Sequence, residues 1–222
     1  MSETRKTYIK TFLLWFPVVS ISLYIGILLS SPIGDFFYAL RDVAPSASDD
    51  GSFEVTLSRI LLVGLFAGFG QWIVINSKIR NSQLWIPATI IGFLIGSFTS
   101  FFLFAFLSGV LLSDKFYRAI EWITIIGTFM GAGSITGIFQ WASLKKNIRN
   151  SFNWSLVTGL SFTIGFIASI MVDPFSTRSQ ISWLVFSTAF GLISGIFAEP
   201  LIIRPNFESM EEQRAPANTA CT

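Results

Sequence analysis

Gly64-Leu65-Phe66-Ala67-Gly68-Phe69-Gly70-Gln71-Trp72 is spelled again, with the same fixed points, as Gly133-Ser134-Ile135-Thr136-Gly137-Ile138-Phe139-Gln140-Trp141. A third copy, Gly191-Leu192-Ile193-Ser194-Gly195-Ile196-Phe197-Ala198-Glu199, keeps both glycines and loses the Gln-Trp. The first two copies carry no charge and the third carries none before Glu199, so the repeating object reads as a helix in lipid. Working outward, a second kind of segment opens at tryptophan. Trp15, Trp85 and Trp154 each stand eleven residues before a glycine, Gly26, Gly96 and Gly165. The two kinds of segment alternate, which makes three two-helix units.

The charges mark the ends of these segments. Only 13% of the 222 residues are charged and 52% are hydrophobic, against about 25% charged in an average soluble domain. Lys10 to Asp35 encloses 24 uncharged residues, Arg59 to Lys78 encloses 18, and Arg80 to Asp114 encloses 33. Glu121 to Lys145 and Arg149 to Asp173 enclose 23 each, and Arg178 to Glu199 encloses 20. A spanning helix needs about 20 apolar residues. The runs do not alternate as barrel strands do, and helices satisfy their own backbone in lipid. The expected fold is therefore all-α, a six-transmembrane-helix bundle with spans near 11–31, 57–77, 84–108, 119–144, 152–172 and 180–203. The first run exceeds the usual h-region of a signal peptide and carries the repeat, so it is expected to be retained. The third run is too long for one untilted span, and its helix is expected to end near Ser108-Gly109, with Phe101 to Phe104 facing lipid or a partner. The rest divides into a single integral membrane domain over 1–205, an acidic outer loop over 32–56, and a disordered tail over 206–222.

Ten of the fifteen Lys and Arg fall on one side of these spans. They lie before the first span, in the second and fourth connections, and in the tail. The positive-inside rule then puts both termini in the cytoplasm. Because each unit has two helices, all three units enter the membrane in the same direction. They are parallel repeats about an axis along the membrane normal, and the simplest arrangement is pseudo-threefold. Small residues four apart share one helix face and admit a neighbouring backbone. Gly64 and Gly68, Gly133 and Gly137, and Gly191 and Gly195 supply such faces on all three even-numbered helices. These helices are expected to form an inner ring, packing on one another, with the odd-numbered helices peripheral. Ser134, Thr136, Thr158, Ser161 and Thr163 are available for polar contacts between helices.

Three positions are candidates for a binding site. Gln71 and Gln140 precede the cytoplasmic connections, and Glu199 ends the third copy, where the Gln-Trp is lost. In one reading the amides point into the bundle and coordinate a ligand, ion or pigment. In the other they bond a backbone carbonyl of a neighbouring helix, and Glu199 pairs with Arg204 or with a Lys from another loop. Trp15, Trp72, Trp85, Trp141 and Trp154 lie on the same rim and are expected to act as interface anchors, since tryptophan is enriched at headgroup level.

The absences are as informative. The chain has no histidine and a single cysteine, which removes the usual haem and zinc sites and any serine–histidine dyad. No carboxylate lies mid-membrane to carry protons. No Walker loop, HExxH or nucleophile elbow occurs. No catalytic residue, metal or cofactor is expected, and a net charge of +2 gives no reason to invoke nucleic acid.

Gly68 to Gly96 and Gly137 to Gly165, and more weakly Gly191 to Arg204, resemble a family of uncharacterised bacterial multi-pass membrane proteins. There, glycine-rich helices end in Gln-Trp-Leu-Val-Leu-Arg-Arg-like strings, and a Trp-opened helix follows. Here Ile73-Val74-Ile75-Asn76 and Ala142-Ser143-Leu144-Lys145 replace the basic ending. With the parts of the repeat around these stretches, the resemblance covers about two-thirds of the chain. It implies the repeat and a bacterial cytoplasmic membrane, or a thylakoid membrane if the source is a cyanobacterium; it implies no activity. The expectation is a non-enzymatic scaffold, assembly or accessory subunit, in contact with the bilayer and with a membrane-protein partner or a second copy. The alternatives are a channel or transporter for a small solute along the repeat axis, and the binding of a hydrophobic ligand or pigment between helices.

Overall fold

The computed structural model describes residues 3–40, 53–76, 79, 82–111, 117–145, 152–172, 180–198 and 200–201. These form six helices: α1 Glu3–Leu40, α2 Phe53–Ile75, α3 Trp85–Leu111, α4 Tyr117–Leu144, α5 Asn153–Val172 and α6 Gln180–Ala198. A single 3₁₀ turn, Ser82–Leu84, leads into α3. The expected tail over 206–222 lies outside the described residues.

Five of the helices are long and apolar enough to cross a membrane: the stretches are Lys6–Ser30, Thr56–Ile75, Ser82–Leu103, Asn153–Val172 and Gln180–Ala198. The chain is a multi-pass helical membrane protein. α4 is 28 residues long and is packed between α3 and α5. The first helix departs from expectation. α1 runs for 38 residues, through Pro17 and Pro32, to Leu40. At 1.5 Å per residue it is about 57 Å long, well beyond the hydrocarbon thickness of about 30 Å. The connection expected over 32–56 is thus partly helical at both ends. Each proline removes one backbone donor, a loss that membrane helices tolerate.

The helices close into a ring in chain order. Each packs chiefly on the two that flank it, and α6 packs on α1. This corrects the expectation of an inner ring of even-numbered helices. The glycine faces meet odd-numbered helices instead. Gly64 and Gly68 lie against Ile90, Phe93, Ile86 and Thr89 of α3. Gly133 and Gly137 lie against Thr158, Gly159 and Ser155 of α5, and Gly191 and Gly195 against Phe16, Ser20, Trp15 and Phe12 of α1. At Gly137 the approach is backbone to backbone, since a Cβ there would run into Ser155 Cα. The reason is steric. The odd-numbered helices carry the bulk that fills the centre, and the narrow glycine faces let them come in between their even-numbered neighbours.

The ring is apolar outside, and its interior sets polar side chains among apolar ones. Buried positions include Gln71, Gln140, Thr89, Thr136, Thr158, Ser161, Ser169, Ser187 and Ser194. Large apolar side chains such as Leu13, Ile21, Leu65, Ile91, Leu156, Leu160, Ile181 and Leu192 are exposed. In water such a surface would be an aggregation hazard; in a bilayer it is the ordinary lipid-facing surface. Most buried hydroxyls are satisfied within their own helix. Thr136 Oγ1 donates to the Ala132 carbonyl, Thr158 to Trp154, Ser161 to Val157 and Thr163 to Gly159. Four of the five hydroxyls expected to link helices therefore bond locally, as Ser and Thr do in apolar helices. The link between helices is made by other residues.

Candidate functional site: an indole and amide network at the ring centre

Trp85 opens α3 and Trp154 lies one residue inside α5. Their indoles turn inward from these helix starts and approach the ends of α2 and α4, where Gln71 and Gln140 sit. Trp85 Nε1 donates to Gln71 Oε1 at 2.8 Å, and Trp154 Nε1 donates to Gln140 Oε1 at 2.7 Å. Each bond spans fourteen residues of chain. The two pairs are joined to each other. Gln140 Nε2 donates to Gln71 Oε1 and to Thr89 Oγ1, both at 2.8 Å, and Thr89 Oγ1 in turn donates to the Trp85 carbonyl at 2.8 Å. Gln140 thus uses both amide hydrogens and accepts a third bond, and the network ties together α2, α3, α4 and α5.

The third tryptophan is bound differently. Ala198 stands where the other units have glutamine, so Trp15 Nε1 donates to Ser194 Oγ, one turn earlier on α6, at 3.1 Å. Its ring meets Trp154 edge-on at 5.7 Å between centroids, and Trp85 lies 6.0 Å from Trp154. All three indoles are at most 1% exposed, as are Gln71 and Gln140. Two turns further along the odd-numbered helices the packing becomes mainly aromatic. Phe162 lies 5.4 Å from Phe93 and 4.8 Å from Phe190, and Phe129 stacks on Phe166 at 4.0 Å.

These positions correct the anchor reading of three tryptophans. Trp15, Trp85 and Trp154 do not face the headgroup level; they are hydrogen-bonded donors in the interior. A buried indole N–H without a partner costs about 1–3 kcal/mol, which is why an acceptor stands opposite each. Trp72 and Trp141 are half-buried. Trp72 stacks on Phe69, and Trp141 meets Phe152 edge-on. Trp72 Nε1 is buried and has no hydrogen-bond partner. The two candidate glutamines come together in one network; Glu199 lies outside the described residues.

The pairing of Trp85 with Gln71 and of Trp154 with Gln140 has a signal in the letters: each tryptophan follows its glutamine by fourteen residues, twice over. Thr89 is echoed by Thr158, each four residues after its tryptophan, whereas Ser194 carries no comparable mark. Chemically the network is neutral. It holds no carboxylate, amine, thiol or imidazole, so the network itself supplies no base to activate the hydroxyls of Thr89 and Ser194. Among the described residues no group of acidic, His or Cys side chains could hold a metal ion. Its donors and acceptors are largely spent on one another, the condition under which a buried polar network rigidifies a core.

Comparison of the chain with protein-family models, with curated proteins and with solved structures found no match.

Proposed function

We propose that the protein is a non-enzymatic structural subunit of a membrane assembly, acting as a scaffold or an assembly or accessory factor. The observation that carries this reading is the centre of the ring. Three indoles and two carboxamides fill it, Trp85 and Trp154 bonded to the carboxamides and Trp15 to Ser194, with no ionisable group among them. A core built this way fixes helix positions, and fixed positions are what a docking subunit needs. The outward aromatic run on α3, where Phe101, Phe102 and Phe106 are all exposed, is the natural place for a partner helix.

The same proposal takes the chain as three like-oriented units about a pseudo-threefold axis, with α4 as a sixth crossing and both ends in the cytoplasm. Equivalent joints support it: α2 on α3, α4 on α5 and α6 on α1 each combine a two-glycine face with an indole donor. A bacterial cytoplasmic or thylakoid membrane is the proposed location, on the strength of the repeat resemblance alone.

Purification from native membranes in mild detergent tests the function. The expected result is a second membrane protein at fixed stoichiometry, released when Phe101, Phe102 and Phe106 are replaced by alanine. A monodisperse monomer, recovered alone at every detergent strength, ends the proposal. Solute conduction is the competing reading, because a closed ring of helices has a polar centre. Proteoliposome flux separates the two. The indoles occupy the axis at the level of the network, so no flux above empty liposomes is expected.

A further inference from the structure

The three equivalent joints are not equally bonded. At α2–α3 and α4–α5 the indole bonds are 2.8 and 2.7 Å long, to carboxamide oxygens. At α6–α1 the bond from Trp15 reaches only a hydroxyl, at 3.1 Å. Two further polar contacts near this joint are long: Tyr8 Oη to the Ile196 carbonyl at 3.3 Å across the seam, and Ser194 Oγ to the Gly191 carbonyl at 3.4 Å within α6 itself. Hydrogen bonds weaken over this range.

Unmet polar groups gather at the same place. Among the described residues, three buried side-chain atoms lack a partner: Thr11 Oγ1, Ser20 Oγ and Trp72 Nε1. Two of the three are on α1. Ser20 is pressed against Gly191 of α6, and Thr11 lies one turn before Trp15, on the face Trp15 presents. Finally, α2–α3 and α4–α5 are each tied by a short connection, whereas no loop joins α6 to α1.

We propose that the α1–α6 seam is the joint at which the ring opens. Opening there separates two helices that no connection holds together. It releases the weakest of the three indole bonds and lets Thr11, Ser20 and Ser194 reach new partners. The other two joints stay closed, locked by Gln71 and Gln140. This inference concerns a motion of the ring and stands independently of the scaffold reading.

Spin-label distances in nanodiscs test it. The single cysteine, Cys221, is first replaced by serine, and labels are placed at outward positions on facing helices. Leu13 with Leu192 reports the α1–α6 seam; Leu65 with Ile91 and Ile138 with Leu156 report the two closed joints. We expect a second, longer component for the Leu13–Leu192 pair alone, displaced by about 5 Å or more, half a helix diameter. A single narrow component in all three pairs overturns the proposal, and so does a second component in all three, which would mean general looseness. Ser20→Ala removes one unmet hydroxyl from the closed state. It should shrink the longer component about fivefold, the effect of relieving one buried unpaired group. An unchanged or larger component overturns the proposal as well. Ser187→Ala, on α6 but with its hydroxyl bonded to the Leu184 carbonyl, serves as the control and should leave the distribution as it is.

Discussion

Gln140 is the residue on which the centre most depends. It donates twice and accepts once, to partners on three other helices. Gln140→Leu keeps the volume and strands the Trp154 N–H in an apolar core. The expected loss is about 1–3 kcal/mol, measured by unfolding in mixed micelles. Trp72→Phe is the opposite case. It deletes a buried donor that has no partner, so the stability measured in the same way should be unchanged or slightly raised. A larger loss for Trp72→Phe than for Gln140→Leu would contradict the network described above. At this scale the sequence was half legible. Gln71 and Gln140 stand out by repetition, but the inward turn of Trp15, Trp85 and Trp154 does not. Tryptophan near a helix end is usually a headgroup anchor, and a one-dimensional spelling does not say which way an indole turns. The fourteen-residue recurrence of Gln and Trp was the available clue.

For the helices, what matters is how closely their backbones approach. At Gly137 a methyl group would meet the Ser155 backbone, which cannot step aside. Gly137→Ala should therefore cost about 1–3 kcal/mol through overpacking and weaken the α4–α5 joint. At Gly195 the nearest atoms are ring edges, Trp15 Cδ1 at 3.1 Å and Phe12 Cδ2 at 3.4 Å. Small side-chain shifts can accommodate the methyl there, and the better helix propensity of alanine, about 1 kcal/mol over glycine, offsets the remainder. Gly195→Ala should be close to neutral. Thermal unfolding of the two variants in one detergent checks the contrast, and equal losses would refute it. Helix number and order were legible because charges bracket the uncharged runs. The partner of each glycine face was not. These helices are apolar nearly all round, so no amphipathic stripe marks the inner face, and a small-residue pair announces a close approach without naming the helix that makes it. The length of α1 was hidden for a different reason. Pro32 and Asp35 look like a stop, yet the helix continues to Leu40.

For the whole molecule, the proposed orientation makes a direct demand. With six crossings and both ends in the cytoplasm, single-cysteine labels near residues 4, 76 and 147 should react from one side of sealed vesicles. Labels near 47, 115 and 176 should react from the other. Residues 4 and 210 reporting opposite faces would remove the like-oriented repeat. The closed order of the helices, with α6 against α1 and Tyr8 within reach of Ile196, has one more consequence. The molecule is a circle written as a line, and the point where the line was cut is arbitrary. A gene that starts at Asn147, runs to Thr222, crosses a flexible bridge to Met1 and stops at Lys146 should yield the same ring. In that rearranged protein the free ends would flank α4 and α5, whose contact the Gln140–Trp154 bond secures.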